Sequence, residues 1–87
     1  MTIYQVKPVY HEAQQVTEDN LQKLATWCNG HVLFKTLPIS ERQVELNKES
    51  KHLRAEIGDW IVKESAFHFR AYSPEGFDRK YIQVGNT

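Results

Sequence analysis

The chain has 87 residues, 40% of them hydrophobic and 25% charged, a balance that excludes intrinsic disorder and predicts one folded domain over residues 1–87. Eleven basic and eleven acidic residues cancel, which disfavours nucleic-acid binding because such binding depends on neutralising several phosphates. No apolar run approaches the roughly 20 residues needed to cross a bilayer, and the single cysteine, Cys28, excludes an internal disulfide. We therefore expect a cytoplasmic protein without a membrane segment.

The N-terminal third predicts a strand followed by a helix. Residues 3–16 are expected to form a bent or doubled strand, because Pro8 lacks an amide hydrogen and interrupts the pattern. Thr17 then suits the cap of a helix whose first turn carries two acidic residues. The apolar residues of this helix follow the i, i+3, i+4, i+7 spacing of one buried face: Leu21, Leu24, Ala25 and Cys28. Asn29 and Gly30 both tolerate the left-handed conformation that ends a helix.

Alternating apolar and polar residues predict strands in the middle of the chain. Residues 31–37 form the first of these, and the segments 42–47 and 51–57 are expected to pair as a β-hairpin around a polar turn. The inward face of the hairpin is expected to carry five apolar residues: Val44, Leu46, Leu53, Ala55 and Ile57. Its other face is polar and is expected to contact water.

The segment Gly58-Asp59-Trp60 predicts a turn that leads into a strand. Glycine takes positive φ without a steric cost, and Asp59 can accept a backbone hydrogen bond across the bend, so we assign both residues a structural role. Trp60, Ile61 and Val62 then place apolar side chains on both faces of the strand, which is typical of a central strand covered on each side. We expect one cover to be the helix and the other to be the far wall of a barrel or a partner subunit. Trp60 is thus a candidate interface residue.

The C-terminal third predicts a further strand, one helical turn and a last strand. Residues 66–72 alternate, and three of their side chains are expected to face inward: Phe67, Phe69 and Ala71. Ser73 suits the cap of a helical turn over 73–77, and residues 80–84 are expected to form a strand with Ile82 and Val84 inward. The order β-α-β-β-β-β-β predicts an α+β domain, in which one helix packs on a bent, mostly antiparallel sheet or open small barrel.

The sequence contains one candidate ligand site, a basic and aromatic face. If segments 51–57 and 66–72 share a sheet, five residues lie together on its outer side: His52, Arg54, His68, Arg70 and Tyr72. Arginine binds phosphate or carboxylate at two points and tyrosine offers a ring for stacking, so this face fits an anionic ligand. The alternative is an ordinary solvated face. The histidines and Cys28 have neither zinc-site nor catalytic spacing, so we expect no metal, no cofactor and no catalytic residue.

Several short motifs follow one another along the chain. Residues 57–62 read Ile-Gly-Asp-Trp-Ile-Val, and further motifs are Lys7-Pro8-Val9, Glu12-Ala13, Gln15, Asp19-Asn20-Leu21, Cys28, Gly30, Pro74, Phe77 and Tyr81. In this order they resemble a family of small proteins encoded by bacteriophages and prophages, whose shared motif is Pro-Gly-Asp-Tyr/Trp-Ile/Val-Ile/Val. Ile57 here replaces the proline of that motif. The family has no established activity, so the resemblance implies a phage origin and an accessory role and assigns no catalytic residue.

These observations predict a non-enzymatic protein that binds a host or phage protein, as a homodimer, in the cytoplasm of the host cell. The alternative is an anti-defence protein that sequesters a nucleotide-derived immune signal of the host through the basic and aromatic face. Sequence-specific binding of nucleic acid is a third and less favoured hypothesis, because the charges of the chain cancel.

Overall fold

The structure is a computed structural model that describes residues 2–3, 11–47, 50 and 53–82. Its elements are β1 (Glu12–Gln15), α1 (Leu21–Trp27), β2 (His31–Leu33), a 3₁₀ turn (Ile39–Glu41), β3 (Gln43–Glu45), β4 (Arg54–Glu56), β5 (Trp60–Ser65), β6 (His68–Tyr72) and α2 (Pro74–Lys80). The fold is α+β, as predicted, and every strand pair is antiparallel.

The described strands form two three-stranded sheets rather than one continuous bent sheet. The first sheet has the order β1-β5-β6 and the second has the order β2-β3-β4, and no closed barrel occurs among the described residues. The chain passes from the second sheet to the first at Gly58 and Asp59. There the Val16 amide donates to the Asp59 carbonyl at 2.8 Å, and the Gly58 amide donates to the Val16 carbonyl at 2.8 Å. These bonds hold the end of β1 against the turn that joins the two sheets.

Helix α1 buries the predicted apolar face in the main core. The core contains Leu21, Leu24, Ala25 and Cys28 from this helical segment, Val44 from the second sheet, and Ile61 and Phe69 from the first. The helix begins at Leu21, so the prediction of a Thr17 cap is wrong. Asn20 organises the preceding turn instead: its Oδ1 accepts from the Thr17 amide at 2.8 Å, and its Nδ2 donates to the Gln15 carbonyl at 2.8 Å.

The end of α1 matches the sequence prediction and fixes the helix against β3. Asn29 has a φ of 56°, in the left-handed region, and the Gly30 amide donates to the Ala25 carbonyl at 2.8 Å. Gly30 also lies directly against the backbone of β3. A Cβ atom there would overlap the carbonyl oxygen of Glu45, so only glycine fits this approach.

Strand β2 is shorter than predicted. It ends at Leu33 because Phe34 adopts a φ of 62°, which takes the chain out of the extended conformation. The Leu37 amide then donates to the Phe34 carbonyl at 3.0 Å, closing a turn that leads to the 3₁₀ turn before β3. The prediction of a strand up to residue 37 is therefore wrong.

The predicted hairpin is confirmed by the antiparallel pairing of β3 with β4. Val44 pairs with Ala55 across β3 and β4, and both are buried together with Leu46. Leu53, expected to face inward, is exposed because it precedes β4. Its carbonyl still extends the pairing, as the acceptor for the Leu46 amide at 2.7 Å.

The expectation that Phe67 faces inward is wrong. Phe67 is 66% exposed because it lies in the turn between β5 and β6, where strand alternation does not hold.

Strand β5 is central in the first sheet and is covered on both sides, as predicted. Ile61 belongs to the main core, whereas Val62 is buried but lies on the opposite side, which we call the outer face. Part of the outer face is covered by the same chain, since Phe77 of α2 stacks on Trp60. The Trp60 ring is therefore covered by α2, where the sequence suggested a barrel wall or a partner subunit.

Helix α2 extends the predicted helical turn through Lys80. The Ser73 cap is confirmed, since its Oγ accepts from the Gly76 amide at 3.1 Å. A strand beginning at residue 80 is wrong because Lys80 is helical, and Ile82 is 88% exposed rather than inward. Residues 83–84 and Pro8, which also carried predictions, lie outside the described residues.

Candidate binding surfaces

Four of the five residues predicted to form an anion-binding face are described, and they are divided between the two sheets. Arg54 is exposed on β4 in the second sheet, whereas His68, Arg70 and Tyr72 lie on β6 in the first. His52 lies outside the described residues. His68 is exposed at the start of β6, beside the turn. The structure therefore brings together Arg70 and Tyr72 from the predicted set.

The outer face carries a basic and aromatic cluster that the sequence identified only in part. The guanidinium carbon of Arg70 is 5.2 Å from the centre of the Tyr72 ring, and Nζ of Lys80 is 5.4 Å from the same centre. Lys80 also donates a hydrogen bond to the Tyr72 hydroxyl at 3.0 Å. The Tyr81 ring meets that of Tyr72 edge-on at 5.7 Å, and its hydroxyl is 3.1 Å from Nδ1 of His11. We call these five residues the Arg70 cluster.

Aromatic stacking holds α2 and the residue after it on the outer face. The Trp60 and Phe77 rings are parallel within 3° at 4.1 Å, and Phe77 and Tyr81 are inclined by 25° at 5.2 Å. Trp60 is half-buried by this stack, so its ring contacts the chain itself. Sequence reasoning missed Tyr81 and Lys80. The four-residue spacing of Phe77 and Tyr81 was the available signal, because it places both rings on one side of a helix.

The surroundings of Tyr81 keep its hydroxyl protonated. Burial raises the pKa of Tyr81 to about 12, assisted by the Tyr72 hydroxyl and the Glu64 carboxylate and opposed by Arg70. At neutral pH this phenol is therefore uncharged and able to donate a hydrogen bond. Arg70 differs, because its Nε is shielded from water and has no hydrogen-bond partner in the part of the chain that is described. An unpaired buried donor is rare in folded proteins.

A second surface is an open groove of about 280 Å³ between the start of α1 and residues 34–42, which we call the loop groove. Its apolar lining is Leu21, Val32 and Ile39, and its charged lining is Glu18, Asp19, Lys35 and Arg42. Nε of Arg42 donates to the Leu37 carbonyl at 3.2 Å, which fixes the loop. Three large apolar side chains of this loop are exposed: Phe34 by 44%, Leu37 by 42% and Ile39 by 41%.

The Gly58-Asp59 turn has the structural role that its residues predict. Gly58 has a φ of 99°, and Oδ2 of Asp59 accepts from the Glu56 amide at 3.0 Å. Nε2 of Gln15 donates to the Gly58 carbonyl at 3.0 Å, adding a side-chain link from β1. The Asp59 carboxylate thus stabilises the turn by accepting a backbone hydrogen bond.

Cys28 is a core residue. Its side chain is fully buried, and burial raises the pKa of the thiol, which keeps it in the less reactive protonated form. Over residues 11–47 and 53–82, no three side chains of histidine, cysteine, aspartate or glutamate converge as metal ligands.

No protein-family model, curated protein or solved structure matches this chain. Neither of the two helices in the described ranges has the length and apolar character needed to cross a membrane. The Arg70 cluster and the loop groove are therefore the features from which we infer a function.

Proposed function

We propose that this chain is a non-enzymatic phage accessory protein that binds a host or phage protein in the host cytoplasm and acts as a homodimer. The observation that carries the proposal is the loop groove, which Ile39 lines, together with Phe34 and Leu37, which are exposed in the same loop. Apolar residues that are exposed together and rimmed by charges are typical of protein-binding surfaces. The motif resemblance described above adds the phage setting.

The backbone at Phe34 supports a binding role for this loop. A bulky residue in the left-handed region costs roughly 1–2 kcal/mol, and the φ of 62° places Phe34 there. Such strain clusters at binding sites, where it fixes the direction of a side chain. The ring remains 44% exposed, so burial within the chain does not offset the whole of this cost. Contact with a partner would bury the remaining ring surface.

The charges around the loop groove indicate the chemistry of the partner. Glu18 and Asp19 lie on the α1 side, and Lys35 and Arg42 lie on the loop side. A complementary protein segment would insert an apolar side chain between them, with a basic residue toward the acidic side and an acidic residue toward the basic side.

The substitution Phe34→Asn separates binding from folding. Asparagine tolerates positive φ, so the thermal unfolding temperature should be unchanged or higher, while capture of a specific partner from phage-infected bacteria should fall about tenfold. The matched control is Ile82→Asn, which removes an exposed apolar side chain away from the groove. Capture that Phe34→Asn leaves intact, or that Ile82→Asn reduces equally, would refute the assignment of the loop groove.

The sequestration of a nucleotide-derived immune signal is the second candidate. It is supported by Arg70 and Tyr72, which combine a cation with an aromatic ring on the outer face. Calorimetric titration with cyclic di- and trinucleotides should give saturable heat that Arg70→Gln removes and Arg54→Gln preserves. Flat traces with the unaltered protein would eliminate this candidate.

A further inference from the structure

Two cations converge on one tyrosine in the Arg70 cluster. The guanidinium of Arg70 and the ammonium of Lys80 both lie within 5.4 Å of the centre of the Tyr72 ring. Both contacts are cation–π contacts, and they place two positive charges around one ring, an arrangement that suits a negatively charged ligand. Lys80 already donates to the Tyr72 hydroxyl, which leaves the proton of that hydroxyl available to an acceptor.

No acidic side chain in the described ranges neutralises these two cations. The ion pair found there joins Arg79 and Glu75 on the exposed side of α2. Glu64 is close enough to raise the pKa of Tyr81, but it forms no ion pair with Arg70 or Lys80 within the described part of the chain. The Nε of Arg70 is shielded and lacks an acceptor among the same residues. An anion beside the Arg70 guanidinium and the Lys80 ammonium would supply the negative charge that these two cations lack among the described residues.

We propose that the Arg70 cluster binds a phosphoryl group, held by Arg70, Lys80 and the hydroxyl of Tyr72. A phosphate monoester carries close to two negative charges and several acceptor oxygens, which match two cations and one hydroxyl donor. A carboxylate would balance only one of the two cations. Tyr81 closes the site beside Tyr72, since its neutral hydroxyl is held at 3.1 Å from His11.

This inference is independent of the loop groove, and it does not require that the ligand be a nucleotide. The cluster lies on the outer face of the first sheet, whereas the groove lies between α1 and residues 34–42. Phosphate binding can therefore fail while protein capture through Phe34 persists, and the reverse also holds.

The test is a titration with inorganic phosphate followed by ¹H–¹⁵N NMR, including the Nε–Hε signal of Arg70. We expect saturable shifts of this signal with a dissociation constant on the order of 1 mM. Lys80→Gln and Tyr72→Phe should each weaken binding several-fold to about tenfold, because each removes one donor. Arg54→Gln is the matched control, since it removes an exposed arginine from the other sheet, and it should bind as the unaltered protein does.

Three ligands distinguish the source of the phosphoryl group. Equal affinity for inorganic phosphate and adenosine 5′-monophosphate would indicate a general phosphate site. Tighter binding of adenosine 5′-monophosphate than of phosphate, with no binding of adenosine, would indicate a nucleotide site. Both outcomes support the proposal. Absence of saturable shifts overturns it, as does binding of adenosine as tight as that of the monophosphate. Equal losses in Lys80→Gln and Arg54→Gln would likewise overturn it, because they would indicate non-specific charge attraction. Tyr72→Phe retains the aromatic ring and removes only the hydroxyl, so it tests the site without the loss of packing that a substitution of Arg70 would cause.

Discussion

The hydroxyl of Tyr81 links the chemistry of the outer face to the stability of the fold. Its pKa in the folded chain is about 12, above the ordinary value of 10.0, so the folded state holds this proton more tightly than the unfolded state. The resulting stabilisation is fully present below pH 10 and is lost as the pH rises toward 12.

We therefore expect the free energy of unfolding to fall between pH 10 and about 12, and Tyr81→Phe to remove this component. Urea unfolding at a series of alkaline pH values measures the effect. The difference between the unaltered chain and the variant isolates Tyr81 from the other tyrosines. An identical pH dependence in the two proteins would contradict the prediction.

Individual residues differ in how well their backbone conformation can be predicted from the sequence. Positive φ at Asn29 and Gly58 was predictable, because these residue types tolerate it and lie between periodic segments. Positive φ at Phe34 was not, because phenylalanine is intrinsically disfavoured there and continues the apolar pattern of β2. The strained residue is thus the one that the local pattern does not reveal, and it lies in the loop that contributes Lys35, Ile39 and Arg42 to the loop groove.

At the scale of elements, α2 packs on the first sheet through the ring of Phe77, which stacks on Trp60. Phe77→Ala should remove the 4.1 Å stack with Trp60 and expose more of the Trp60 ring. We expect a loss of about 2 kcal/mol in unfolding free energy, less than for a fully buried ring. Trp60 fluorescence should shift to longer wavelength, measured in a Trp27→Phe background that leaves one tryptophan.

The control for Phe77→Ala is Arg79→Ala on the same helix. Its side chain is exposed and forms a solvent-exposed ion pair with Glu75 at 3.8 Å, so its removal should change stability by only a few tenths of a kcal/mol. If both substitutions had equal effects on stability, α2 would contribute through its helical backbone and not through its rings.

Elements whose apolar residues follow a complete helical or strand spacing were predictable. Elements whose form depends on contacts with distant parts of the chain were not. The apolar face of α1 and the Val44–Ala55 hairpin pairing follow from spacing alone. The end of α2 could not be predicted from spacing, because residues 80–84 have the alternation of apolar and polar residues that is typical of a strand. Only the packing of Phe77 on Trp60 shows why a helix is preferred at this position.

At the scale of the whole molecule, we expect the homodimer to form through a patch away from the loop groove. Phe67 and Leu53 are both exposed apolar residues near the ends of β6 and β4. Light scattering should give twice the 10.2 kDa chain mass, and Phe67→Asn should shift the protein toward monomer while Phe34→Asn does not. A monomeric mass for the unaltered protein would remove the homodimer from the proposal.

The division into two sheets is the feature of the whole molecule that the sequence did not reveal. Pairing of Glu12 with Lys63 brings together strands that are distant in the sequence, and no local pattern encodes that choice. The same division separates Arg54 from Arg70 and so changes the composition of the candidate anion site. Alternation within each strand predicted which residues share a face, but not which strands share a sheet.

The position of α2 after β5 has a consequence for synthesis on the ribosome. Translation runs from the N-terminus, so Trp60 is made before Phe77, the ring that stacks on it. A product whose synthesis stops between these two residues would carry β5 with the Trp60 ring unstacked. Such a product would expose an aromatic surface that the 87-residue chain partly covers.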